Sequence, residues 1–227
     1  MFFRVSPKKS GRGMVFYLII ANIAIFILQL TISGFTVFFE LVPKEAMSGA
    51  FWQFVTYMFL HGDIGHIFWN MLALFIFGTI LERHMGSDRF FKLYFGAGMF
   101  SAFFHIVLAY SGIIPPTVVG SYIISAVNIP MLGASGAVFG IVTAFAFVFP
   151  DVPLIIFPIP LPIKAKYAVM GFIAFSLLAG FTGVMPGIGH FGHLGGIIAG
   201  LGIMLYWRYT ERSRRAPEFH GLEFAWE

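Results

Sequence analysis

The chain has 227 residues, of which 59% are hydrophobic, 19% aromatic and only 11% charged, with 30 phenylalanines and no cysteine. A soluble domain carries about 25% charged residues, so the expected class is a one-domain polytopic membrane protein whose main solvent is lipid. The lack of cysteine excludes disulfides, a thiolate nucleophile and Cys-ligated metal. The net charge of +4 is distributed with the membrane topology, and nucleic acid is not an expected partner.

Residues 1–13, with Arg4, Lys8, Lys9 and Arg12, lead into an apolar run over 14–32, long enough to cross a ~30 Å core at ~1.5 Å per residue. No small-x-small cleavage site closes the run, so it reads as a retained first span and not a signal peptide. Residues 34–60 form a semi-apolar connection containing Phe51, Trp52, Phe54 and Phe59 and three charges, Glu40, Lys44 and Glu45, a composition suited to the membrane interface. The second span is expected over 64–81, followed by a turn with Glu82, Arg83, Asp88, Arg89 and Lys92, and the third over 90–110.

Residues 111–132, charge-free and including Pro115 and Pro116, lead to a fourth span over 135–149 that Pro150 stops. Pro153, Pro158, Pro160 and Pro162 exclude regular helix from the next connection, which is expected at the interface before Lys164 and Lys166. The fifth span is expected over 167–181, a Gly/Pro loop over 182–189 and the sixth span over 190–207. The fold class is thus all-α, a polytopic bundle of six transmembrane helices: a basic N-terminus over 1–13, the core over 14–207 and a tail over 208–227.

Orientation follows from Lys and Arg. Four precede the first span, three lie in the 82–92 turn, two between spans four and five and four in the tail, so 13 of 14 share one side and Lys44 is alone on the other. The positive-inside rule then makes both termini cytoplasmic, and the expected location is a prokaryotic inner membrane.

Polar side chains inside hydrocarbon are functional suspects. Singled out among them are His66 and Asn70 in span two, His105 in span three, Ser135 in span four, and His190 and His193 in span six. Ser135 lies 15 residues before Pro150, His193 lies 15 before Arg208, and His66 lies 16 before Glu82. At ~1.5 Å per residue each is ~22–24 Å from the cytoplasmic boundary, and the three spans run in the same direction. One level therefore holds a hydroxyl, an imidazole that can take its proton, and donors on His66 and Asn70, which the four-residue spacing stacks on one face.

Bland readings compete. A lone intramembrane His or Asn is most often an interhelical hydrogen bond. Gly136-x-x-x-Gly140 is also a helix-packing motif, and its stripe points away from Ser135 toward some other helix. His190-x-x-His193 lacks the spacing and the carboxylate of a metal site. His105 reads as structural and His84 as interfacial. Because no carboxylate lies at the depth of His193, with Asp63 only near the outer end of span two, the constellation reads as a Ser-His dyad.

In the segment Gly133-Ala134-Ser135-Gly136, the run His193-Leu194-Gly195-Gly196 and the trio His61, His66 and Asn70, the chain resembles rhomboid intramembrane serine proteases over about 14–207. Trp52 and Glu82 with Gly86-Ser87 extend the likeness. The resemblance implies Ser135 as nucleophile and His193 as base, with oxyanion stabilisation by His66, Asn70 and the Ser135 backbone N–H. It also implies hydrolysis of other proteins' transmembrane segments near their outer ends, after small residues.

Gly133, Phe139 and Trp69 are expected to line the site. No cofactor or metal is implied, the partners are transmembrane substrates and the bilayer, and oligomeric state is unreadable. Where many members have Trp-Arg this chain has Trp52-Gln53, expected to loosen the first connection, and Phe139 stands where some have tyrosine. The alternative is a catalytically silent rhomboid-like protein that binds or escorts membrane clients. Retention of Ser135, His193, His66 and Asn70 together argues against it.

Overall fold

The apolar runs of the sequence form helices wherever they are long and free of proline. In a computed structural model, which describes residues 13–119, 121–156, 159–182 and 189–215, they are α1 (Met14–Thr31), α2 (Ile64–Met85), α3 (Ser87–Tyr110), α4 (Ser135–Val148), α5 (Ala165–Thr182) and α6 (His190–Arg215). Among them α1, α2, α3 and α5 are long and apolar enough to cross a membrane. The chain is an all-α polytopic membrane protein.

Helix α4 has 14 residues, ~21 Å at ~1.5 Å per residue, so at least one of its ends stops within the depth of a ~30 Å hydrocarbon core. Ten of its residues are buried, which makes it the central helix, wrapped by α3 and α6. Its contacts with both are close because they are made by glycine. A methyl on Gly136 would strike Ser101 and one on Gly140 would strike Ala97, both on α3, which is the other helix that this stripe serves. On α6, methyls on Gly196 and Gly200 would run into the carbonyl oxygens of Gly136 and Gly140. Backbone therefore packs on backbone, as small-residue membrane interfaces allow.

Several elements depart from the sequence reading. α2 continues to Met85, four residues past its expected end, and includes a π-turn over Leu74–Gly78. α6 runs eight residues past Trp207, and its extension is held to α3 by the Arg89–Glu211 ion pair at 2.6 Å and by Arg89 over the Trp207 ring. Two connections contain antiparallel hairpins: β1 (Thr117–Val119) with β2 (Tyr122–Ile124), and β3 (Pro153–Ile156) with β4 (Ile159–Lys164). The first is rich in β-branched residues that prefer extended backbone. In the second, prolines are tolerated because a two-stranded sheet is all edge.

Glu82 ties the chain's first helix to the α2–α3 turn. Its carboxylate accepts the Met14 and Val15 backbone N–H groups at 2.6 and 3.1 Å and the Ser87 hydroxyl at 2.5 Å, satisfying donors at the positive end of α1. Glu82→Ala is expected to lower stability by about 1.5–3 kcal/mol, the worth of a charged hydrogen-bond cluster. Thermal unfolding of purified protein reads the effect, and Glu82→Gln should recover part of it.

Candidate active site

Ser135 is the first residue of α4, and the bend that delivers it requires Gly133. Gly133 has φ +124°, in the region that favours glycine, and its N–H donates to the Tyr57 carbonyl at 2.9 Å. No side chain caps the helix N-terminus that follows, so its first N–H groups and the positive end of its dipole remain available beside the Ser135 hydroxyl. A methyl on Gly133 would lie 2.8 and 2.9 Å from His66 Cε1 and Nε2 and 3.6 Å from Ser135 Oγ. Gly133, the His66 ring and the serine hydroxyl thus surround one small space.

His193, in the first turn of α6, brings Nε2 to 2.9 Å from Ser135 Oγ. Its ring stacks on Phe139 with centroids 4.5 Å apart and planes 30° apart, and Phe172 of α5 meets Phe139 edge-on at 5.4 Å. Phe139, one turn after Ser135, therefore fixes the plane of the imidazole without a hydroxyl. The start of α6 is held in turn by Ser101, whose hydroxyl donates to the Gly192 carbonyl at 2.7 Å.

The His66 side chain has a defined polarity. Its Nδ1 accepts the Gly62 N–H at 3.3 Å, which places the proton of the neutral ring on Nε2, the nitrogen beside Gly133. Asp63 caps α2 by accepting the His66 backbone N–H at 2.8 Å, so its carboxylate orients the helix start. Asn70 is buried one turn below, and one of its amide N–H groups donates to the His66 carbonyl at 2.9 Å. His61 packs edge-on against His66 at 5.1 Å, and burial pushes its pKa down to about 4, so it is neutral near pH 7.

The structure brings Ser135, His193, His66, Gly133 and Phe139 together, and Asn70 is tied to the His66 backbone carbonyl. Trp69 is exposed and packs edge-on against Phe68. His105 and His190 are buried in the bundle, and His84 meets Phe149 edge-on. Among the described residues no three His, Cys, Asp or Glu side chains come together to hold a metal ion.

Residues 48–210 match the family model described as the Rhomboid domain, well over half of the chain. The chain belongs to the rhomboid family. It is 30% identical over 214 residues to Rhomboid protein 1, mitochondrial, of Saccharomyces cerevisiae, covering 93% of this chain and 56% of the yeast protein. Identity is 29% with Rhomboid protease AarA of Providencia stuartii, over 81% of this chain and 68% of that protein. RHOMBOID-like protein 12, mitochondrial, of Arabidopsis thaliana is 32% identical over 67% of this chain, which spans 47% of that relative. The chain thus spans about half the length of the yeast and plant relatives.

Within this rhomboid chain the first connection is more firmly built than the Trp52-Gln53 departure led us to expect. Gln53 is 1% exposed; its Oε1 accepts the Val42 N–H and its Nε2 donates to Glu45 Oε2, each at 3.0 Å. Trp52 donates from Nε1 to the Phe38 carbonyl at 3.0 Å and stacks on the Phe38 ring. Gln53 thus ties the Val42 backbone and Glu45 together within this connection.

The connection also reaches the serine. Leu41 and Met131 exchange two backbone hydrogen bonds, 2.9 and 2.8 Å, and Met131 fills the space over Gly189 and Gly192. Sequence reading missed Leu41, Tyr57, Ser101 and Met131, because a single bridge between residues ninety apart and backbone-directed hydroxyls leave no spacing pattern.

Proposed function

We propose that this chain is an intramembrane serine endopeptidase that hydrolyses peptide bonds in or near transmembrane segments of other membrane proteins. The observation that carries the reading is the 2.9 Å approach of His193 Nε2 to Ser135 Oγ beside an uncapped helix N-terminus. The names of AarA and of the Bacillus subtilis relative GluP, 29% identical over 67% of this chain, include the words rhomboid protease, which agrees with the activity.

In the reaction, His193 Nε2 takes the Ser135 proton as Oγ attacks the scissile carbonyl carbon. The resulting oxyanion receives the His66 Nε2–H, the second Asn70 amide N–H and the Ser135 backbone N–H. Collapse of the tetrahedral intermediate breaks the C–N bond, and the amine leaves with the proton from His193. Water then attacks the acyl-enzyme with His193 as base, and the carboxyl product departs from a regenerated hydroxyl. Ser135 and His193 act as a dyad, and the Lys- and Arg-rich ends of the helices, with both termini, lie on the cytoplasmic side.

The donors of His66 and Asn70 act where negative charge develops, so their loss belongs in kcat and not in substrate docking, which depends on apolar packing. Asn70→Ala and His66→Ala are each expected to lower kcat by ~10²–10³ with KM little changed, and the double variant to lose less than the sum. Kinetics on a single-span reporter in proteoliposomes tests this. Near-parental kcat in both folded single variants would reduce the pair to an interhelical contact.

A further inference from the structure

The connection between α3 and α4 contains an apolar hairpin that the reading of the site does not use. No Asp, Glu, Lys or Arg occurs anywhere from residue 93 to 150. Within that stretch Thr117–Val119 pairs with Tyr122–Ile124, and Val118 is directly opposite Ile123, so their side chains share one face of the ribbon. Val118 is 69% exposed and Tyr122 and Ile123 are each 75% exposed. Tyr122, next to Ile123 in the strand, is on the opposite face, so exposed apolar side chains occur on both faces of the ribbon.

Two-stranded ribbons are at best marginal in water, and this one has no charge to solvate it. Its apolar surface also continues an existing one. Along α3 the exposed residues Phe100, Phe103, Val107 and Tyr110 recur at three- and four-residue steps, which makes one stripe along a helix long and apolar enough to cross a membrane. Ile113, also exposed, carries that stripe toward the hairpin. A ribbon's outer edges keep unpaired N–H and C=O groups, which the hydrocarbon core does not tolerate but the wet headgroup region does.

We propose that the Thr117–Ile124 hairpin is a membrane contact in its own right, lying in the headgroup–acyl boundary of the leaflet on the Ser135 side. Its occupant is lipid, not a second copy of the chain, because the hairpin extends the lipid-facing stripe of α3. Tyr122 supplies the amphipathic ring that interfaces favour. The same connection leads through Met131, bridged to Leu41, into Gly133 and Ser135, so the bilayer holds one end of the segment that presents the serine.

The absence of native cysteine gives a direct test in the full chain. Val118→Cys and Ile123→Cys, each carrying a nitroxide label in lipid nanodiscs, are compared with Val107→Cys as the lipid reference and with Asp88→Cys, in the exposed, charged first turn of α3, as the aqueous reference. Relaxation by dissolved oxygen and by a water-soluble nickel chelate is recorded at each site. The expected result is an oxygen-to-nickel ratio at 118 and 123 several-fold above that of 88, with a depth of ~5–10 Å. A ratio equal to that of 88 puts the hairpin in water and overturns the proposal. Shielding from both reagents means that protein covers the ribbon, and it overturns the proposal equally. Both positions are exposed, so labelling leaves the packed bundle intact, and parental circular dichroism of each labelled protein verifies this.

Discussion

Ser135→Ala is expected to reduce peptide hydrolysis in the single-span reporter to background, and folded His193→Ala to do the same. Their combination should be no worse than either alone. In the proposed mechanism Ser135 supplies the atom that bonds to the carbonyl carbon, and His193 both the acceptor for its proton and the donor to the leaving amine, so each step would need both. In a soluble serine protease the loss of either member costs about 10⁶ in kcat, and losing the rest of the set adds little. The 2.9 Å contact predicts the same non-additivity here. Rates for the three variants, measured on protein with parental melting temperature, decide it. A double variant slower by the product of the single losses would show that the groups act separately.

The second large effect is expected at Gly196. A side chain there meets the Gly136 carbonyl closer than atoms can approach, and neither partner is a flexible side chain that can move aside. Gly196→Val must therefore separate α6 from α4, moving His193, one turn earlier, away from Ser135. A destabilisation above ~3 kcal/mol is expected, at the upper end of overpacking effects, together with loss of hydrolysis. Gly202 of the same helix provides the contrast, because nothing lies within 4 Å of a methyl placed there. Gly202→Ala should be neutral or stabilising by up to ~1 kcal/mol through helix propensity. Equal melting temperatures for Gly196→Val and Gly202→Ala would contradict the glycine-mediated packing of α4 on α6.

The parts of this molecule that sequence made legible depend on two periodic or countable properties. Apolar runs of helical length marked α1 to α6, of which α1, α2, α3 and α5 are long and apolar enough to cross a membrane, where backbone hydrogen bonds must close within each segment. Counting residues from the charged ends put His66, Ser135 and His193 at one depth; His193 does meet Ser135, and the His66 ring lies beside Gly133, two residues before it. The illegible parts have other causes. The end of α6 at Arg215 was hidden because the helix outlasts its apolar stretch and is held by Arg89 and Glu211, which read as ordinary charged residues. The hairpins arise from chain segments too short for a pattern. Gln53 looked like a loss relative to arginine, because only the fold shows that Val42 and Glu45 are within reach of an amide.

The central claim is that Ser135 is made nucleophilic by His193. A fluorophosphonate probe forms a phosphonyl ester with an activated serine and expels fluoride, and the site of attachment is read by peptide mass spectrometry of full-length protein in detergent or nanodiscs. The account predicts a single adduct on Ser135 in the parent chain and its loss in folded His193→Ala. Labelling of Ser135 at the parental rate in His193→Ala, or an adduct elsewhere with Ser135 unmodified, would contradict it.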